Sequence, residues 1–175
     1  MAEKYEPPEG YVITHPNRDK AASKATKAIV ALLLLVTAAL MIIITIGGWD
    51  ALQGAKAVQI AYPLLFIFFA FMIMRWNRGL LPVTAALSII LLIFAAVSGN
   101  AWFDRDKAGF TSPTLDEDII GLLTWILVPV QILLIAFSMR GFAQAWNVEV
   151  EKPESEVRGG GSSSSGQSRA EPQPA

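Results

Sequence analysis

The sequence contains no cysteine and a single histidine, His15. Without cysteine there are no disulfides, thiolate metal sites or thiol redox chemistry. One histidine within a chain cannot supply the paired axial ligands of a b-type cytochrome, and it lies in a His15-Pro16-Asn17 turn where the expectation is simple exposure. Charge is equally scarce where chemistry in a membrane would need it. Four stretches, Ala28 to Ile46, Ala57 to Met74, Leu80 to Ser98 and Ile119 to Met139, contain no Asp, Glu, Lys, Arg, His or Cys. An intramembrane carboxylate, as a small multidrug exporter requires, is therefore absent, and a thiol-dependent quinone reductase is excluded by the missing cysteines. The net charge of -1 and the sparse basic residues of both tails argue against nucleic acid as a partner.

What remains is apolar length. Each uncharged stretch is about 18 to 21 residues, roughly 27 to 31 Å as helix, which matches the hydrocarbon core of a bilayer. With 53% hydrophobic residues in 175, little chain is left for a soluble domain. The sequence predicts an all-α integral membrane protein with four transmembrane helices in an antiparallel up-down bundle. Residues 1–27 form a polar tail with a basic flank, 28–150 the membrane domain, and 151–175 a disordered tail rich in Gly, Ser and Pro that buries too little to offset ordering. The spans are expected at about 28–46, 51–75, 80–98 and 115–140. The first is too long for an ordinary signal core and should remain as an anchor.

Basic residues set orientation. Arg18, Lys20, Lys24 and Lys27 precede span one, Arg75 and Arg78 separate spans two and three, and Arg140, Lys152 and Arg158 follow span four; the opposite side has Lys56, Arg105 and Lys107. Both termini are thus expected in the cytoplasm of a multi-pass plasma-membrane protein. Lys20, Lys24, Lys27, Arg75, Arg78 and Arg140 are the expected headgroup contacts. Trp49, Trp76 and Trp102 fall at span ends, where an amphipathic ring is favoured.

Finer signals place the helix ends. Asp50-Ala51-Leu52-Gln53 has capping-box spacing and predicts helix two from about Ala51, long enough to tilt. Thr114-Leu115-Asp116-Glu117 predicts a second box, with Thr114 as the cap of helix four. Arg75-Trp76-Asn77-Arg78-Gly79 reads as a tight turn with Gly79 available for positive φ, joining helices two and three as an antiparallel hairpin. Gly141 to Val150 is expected to continue helix four. Gly48-Trp49-Asp50 after span one is echoed by Gly99 to Asp104 after span three, and Pro63 and Pro129 interrupt spans two and four, as a duplicated two-helix unit would produce.

Polar groups inside the spans are few. Gln59 and Gln131 are the costly ones, because an amide in hydrocarbon must face another helix, water or a ligand. Tyr62, Pro63, Thr124 and Pro129 complete the set of helix-packing or possible pathway residues, the prolines because they free backbone carbonyls. Ala57/Ala61, Thr84/Ser88 and Ala95/Gly99 have small-xxx-small spacing for close helix approach. Tyr62, Phe66, Phe69 and Trp76 share one helical face, for which lipid exposure is the simplest expectation; Phe68 and Phe71 project elsewhere. Asp104, Asp106 and Gly109 begin like a calcium loop, but Ala108 and Leu115 occupy two essential ligand positions.

These features imply no catalytic residue, metal or cofactor. The leading expectation is a non-catalytic accessory or scaffold subunit that contacts the lipid bilayer and other integral membrane proteins, or a second copy of itself. A small transporter or channel with an uncharged pathway is the alternative. A lipid-modifying enzyme using the acids of the Asn100 to Asp118 loop is the least favoured.

Overall fold

The computed structural model describes residues 7–52, 54–105 and 109–159. The described residues fall into two compact units, one within 17–147 and the other from 7–16 with 148–159. In the larger unit four helices dominate: α2 (Ala21–Gly47), α3 (Lys56–Met74), α4 (Leu80–Phe103) and α5 (Glu117–Ala143), preceded by the single turn α1 (Pro16–Asp19). All four are long and apolar enough to cross a membrane, which makes this a multi-pass helical membrane protein. The smaller unit pairs β1 (Tyr11–Thr14) antiparallel with β2 (Val150–Pro153), followed by α6 (Glu154–Gly159). Residues 151–159 are thus ordered in β2 and α6, contrary to the expected disordered stretch, and 160–175 lie outside the described residues.

Helix boundaries depart from hydropathy for identifiable reasons. α2 begins at Ala21 because Ser23 and Thr26 continue its buried face, at spacings of three and four, below Val30. α3 begins at Lys56, five residues later than the proposed box, because a hydrogen-bonded turn from Gly48 to Leu52 buries Ala51 and Leu52. Gln53, the far end of that box, lies outside the described residues. With 19 residues, about 28 Å, α3 has no excess length to tilt away. α4 runs past Ser98 to Phe103 because Ala95, Gly99 and Trp102 keep one face buried. α5 is capped by Asp116, whose carboxylate accepts from the Asp118 N–H at 3.0 Å, and Thr114 lies two residues outside the cap.

The turn between α3 and α4 is a Schellman motif, with Trp76 N–H donating to Ile73 O at 2.9 Å and Asn77 N–H to Met72 O at 3.2 Å. Its left-handed residue is Trp76 (φ 65°), whereas Gly79 is right-handed. α5 ends at Ala143, and left-handed Ala145 (φ 49°) reverses the chain so that helix does not continue to Val150. The reversal buries Trp146 completely, edge-on to Trp76 with ring centroids 5.3 Å apart. Trp146 Nε1 donates to Gln144 Oε1 at 3.0 Å, and Arg18 Nε donates to the Trp146 carbonyl at 3.1 Å. These contacts offset the cost of left-handed non-glycine residues, about 1–2 kcal/mol each.

α4 packs most extensively on α5, and α2 packs on both α3 and α5. The order across the bundle is therefore α3, α2, α5, α4. Consecutive helices α3 and α4 barely touch beyond their turn, so the expected hairpin does not pack along its length. The pairs α2/α3 and α4/α5 match the units of the internal echo, but exact twofold symmetry is broken. α2 meets α5 while the equivalent α3 and α4 stand apart, and Trp49 is exposed where Trp102 is buried.

Small residues explain the α4/α5 contact. A Cβ at Gly99 would fall 2.8 Å from Trp125 Nε1, and one at Gly121 would fall 2.8 Å from Phe103 Cζ, so each helix lays an aromatic ring over the other's glycine. Thr84, Ser88, Ala95 and Gly99 are buried, whereas Ala57 and Ala61 face outward. Tyr62, Phe66 and Phe69 pack inward rather than toward lipid, with Phe66 fully buried; Phe68 and Phe71 are exposed.

Candidate functional site

Because α3 and α4 diverge, a cleft of about 420 Å³ opens between them, toward the end of the bundle that carries the α2–α3 and α4–α5 loops. Val58, Gln59 and Tyr62 of α3 form one wall, and Leu91, Phe94, Ser98 and Trp102 of α4 the other. Met41 and Ile44 of α2 and Thr124 and Leu127 of α5 form its base, and Arg105 lies at the α4 end. The cleft is almost wholly apolar. Thr124 adds little polarity, since its hydroxyl donates to Ile120 O at 2.8 Å within its own helix.

Gln59, Tyr62 and Thr124 are thus brought to one place. Pro63 is buried beside a shallower hollow of about 250 Å³ between α2 and α3, which Gln59 also borders. The Thr45 hydroxyl donates to Met41 O at 2.6 Å and lies 3.3 Å from the Gln59 side-chain amide. The atom it faces there is Gln59 Oε1, so the single hydroxyl proton is shared between the Met41 carbonyl and the Gln59 amide oxygen. Gln131 is elsewhere. It is fully buried between α2 and α5, and its Nε2 donates to Thr37 Oγ1 at 2.9 Å. Its Oε1 has no partner among the described residues, nor do the buried hydroxyls of Thr84, Ser88 and Ser138. Pro129 is exposed on the outward face of α5 and joins neither site.

The proposed headgroup residues divide. Lys20, Lys24, Arg75 and Arg140 are exposed. Lys27 lies 3.9 Å from the Trp76 ring centre and donates to Met74 O at 3.4 Å, while Arg78 Nε donates to Phe142 O at 2.8 Å over the Phe142 ring. Those two cations hold helix ends together. At the loop end Lys56 covers Trp49 at 4.5 Å. Arg105 lies over Trp102 and Phe110, at 5.0 and 5.4 Å, with its Nε buried and unpartnered among the described residues. In the calcium-like loop, Asp106 and Ala108 lie outside the described residues, and Asp116 is occupied as a cap. His15 is half-buried rather than exposed, with Nδ1 unpartnered among the described residues.

Arg105 is the residue that sequence reading passed over, because it appeared only as a minority charge in an orientation tally. Its place three residues after the interfacial Trp102 was the available signal. Comparisons with protein families, with curated proteins and with solved structures find no match to this chain.

Proposed function

We propose that this is a non-catalytic multi-pass protein of the plasma membrane, with both termini cytoplasmic, serving as an accessory or scaffold subunit of a larger membrane assembly. The observation that carries the reading is the use made of the two membrane amides. Gln59 and Gln131 each pair with a threonine of α2, at 3.3 and 2.9 Å, so both tie helices together. The cleft ends at Met41, Leu91 and Leu127, and Gln131 does not line it.

The outward face of α3 supports a partner. Of the three small-residue pairs, Ala57/Ala61 alone is unused within the chain, and Leu64, Phe68 and Phe71 extend the same exposed helix. Close approach by another transmembrane helix is what such a surface permits.

Purification from native membranes in mild detergent tests this. A subunit should bring a stoichiometric membrane partner, and Ala57→Leu with Ala61→Leu should release it without loss of helix content. Purification of the wild-type chain alone, with reconstituted solute flux that Gln131→Leu abolishes while the bundle stays assembled, would establish the transporter alternative instead.

A further inference from the structure

We propose that the cleft between α3 and α4 holds an acyl chain of an anionic phospholipid, with Arg105 receiving the phosphate of its headgroup. This goes beyond the subunit reading and does not depend on it.

Length is the first argument. The cleft runs along α4 from Trp102 to Leu91, eleven residues or about 16 Å, which is one leaflet of a hydrocarbon core about 30 Å thick. A lipid tail descends from the interface to the midplane over the same distance. Volume is the second. A space of about 420 Å³ is that of a small-ligand site. Side walls of Tyr62, Phe94 and Leu91 offer an alkyl chain contacts and offer a polar solute almost nothing.

Charge at the mouth selects the headgroup. Arg105 lies two residues past the end of α4 with its guanidinium over Trp102, and so lies at the depth where lipid phosphates are found. Two aromatic rings hold its guanidinium, and its buried Nε has no hydrogen-bond acceptor among the described residues. A guanidinium at the end of an apolar cleft attracts an oxyanion, and a phosphodiester supplies one.

The test uses the full chain, purified in neutral detergent and titrated with phosphatidylglycerol or phosphatidylcholine of identical acyl chains, with bound lipid counted by native mass spectrometry. One cation near the interface should favour the anionic lipid about five-fold. Arg105→Gln should abolish that preference, and Arg105→Lys, which keeps the charge, should retain part of it and preserves the test if the Gln variant fails to fold. Ala101 of α4 also lines the cleft, and Ala101→Phe should reduce occupancy by both lipids at unchanged helix content. Equal binding of the two lipids by the wild type, or an anionic preference that survives Arg105→Gln, would overturn the proposal. A second copy of the chain displaced by Ala101→Phe, with lipid binding unaffected, would overturn it equally and assign the cleft to a protein contact.

Discussion

Gln131 of α5 donates to the Thr37 hydroxyl of α2 at 2.9 Å, and both residues are fully buried. In hydrocarbon neither group has a water alternative, so the pair fixes the register of two helices that are not neighbours in sequence. Thr37→Val should cost about 0.6–2 kcal/mol by stranding the amide. Adding Gln131→Leu to that background should recover much of the loss, because no polar group is then left unpaired. A double-mutant cycle on unfolding in detergent measures both, and strictly additive losses would show that the two side chains do not depend on each other.

Gly99 and Trp125 make a second fixed contact between α4 and α5. A methyl at Gly99 would sit 2.8 Å from the indole nitrogen, so Gly99→Ala should push the ring aside and cost about 1–3 kcal/mol. Gly54→Ala, where nothing lies within 4 Å of the added carbon, is the control and should be near neutral. Trp125 fluorescence cannot be isolated among five tryptophans, so the readout is thermal unfolding of the two variants side by side.

The cap of α5 separates two adjacent residue choices. Asp116→Ala should lower stability by about 0.5–2 kcal/mol, while Thr114→Ala, two residues before the cap, should have little effect. Equal losses would restore Thr114 as a capping residue.

Ala145 is left-handed with φ 49°, a conformation that costs an alanine about 1–2 kcal/mol and a glycine almost nothing. Part of that gain returns as the larger chain entropy of glycine, about 0.5–1 kcal/mol. Ala145→Gly should therefore stabilise the protein by up to about 1 kcal/mol, seen as a raised unfolding midpoint. A drop in the midpoint would mean that the alanine methyl contributes to packing around Trp146.

The spans were legible in the sequence because a bilayer imposes one requirement, apolar length, that hydropathy reads directly. Gln131 was identified as a side chain in need of a partner for the same reason. Its partner was not legible, since Thr37 lies 94 residues away and nothing local marks the pairing. The same holds for β1 with β2, where Thr14 pairs with Val150 across most of the chain. Trp146 falls within the stretch expected to continue helix four, and its burial depends on a left-handed alanine that no propensity favours. The divergence of α3 and α4 was hidden by the short turn between them, because connection length constrains helix ends and not the packing further along. Arg105 became visible as a site residue only once that gap was known.

Topology offers the most direct test of the central claim, four crossings with both termini on the cytoplasmic side. The chain has no native cysteine, so single cysteines at Lys20, Gly54, Thr111 and Glu156, all exposed, can be probed with a membrane-impermeant thiol reagent in intact cells. Gly54→Cys and Thr111→Cys should label from outside, and Lys20→Cys and Glu156→Cys only after permeabilisation. Labelling of Lys20→Cys and Glu156→Cys in intact cells, with the loop positions silent, would invert the orientation. Labelling that places Lys20 and Glu156 on opposite sides would contradict four crossings altogether.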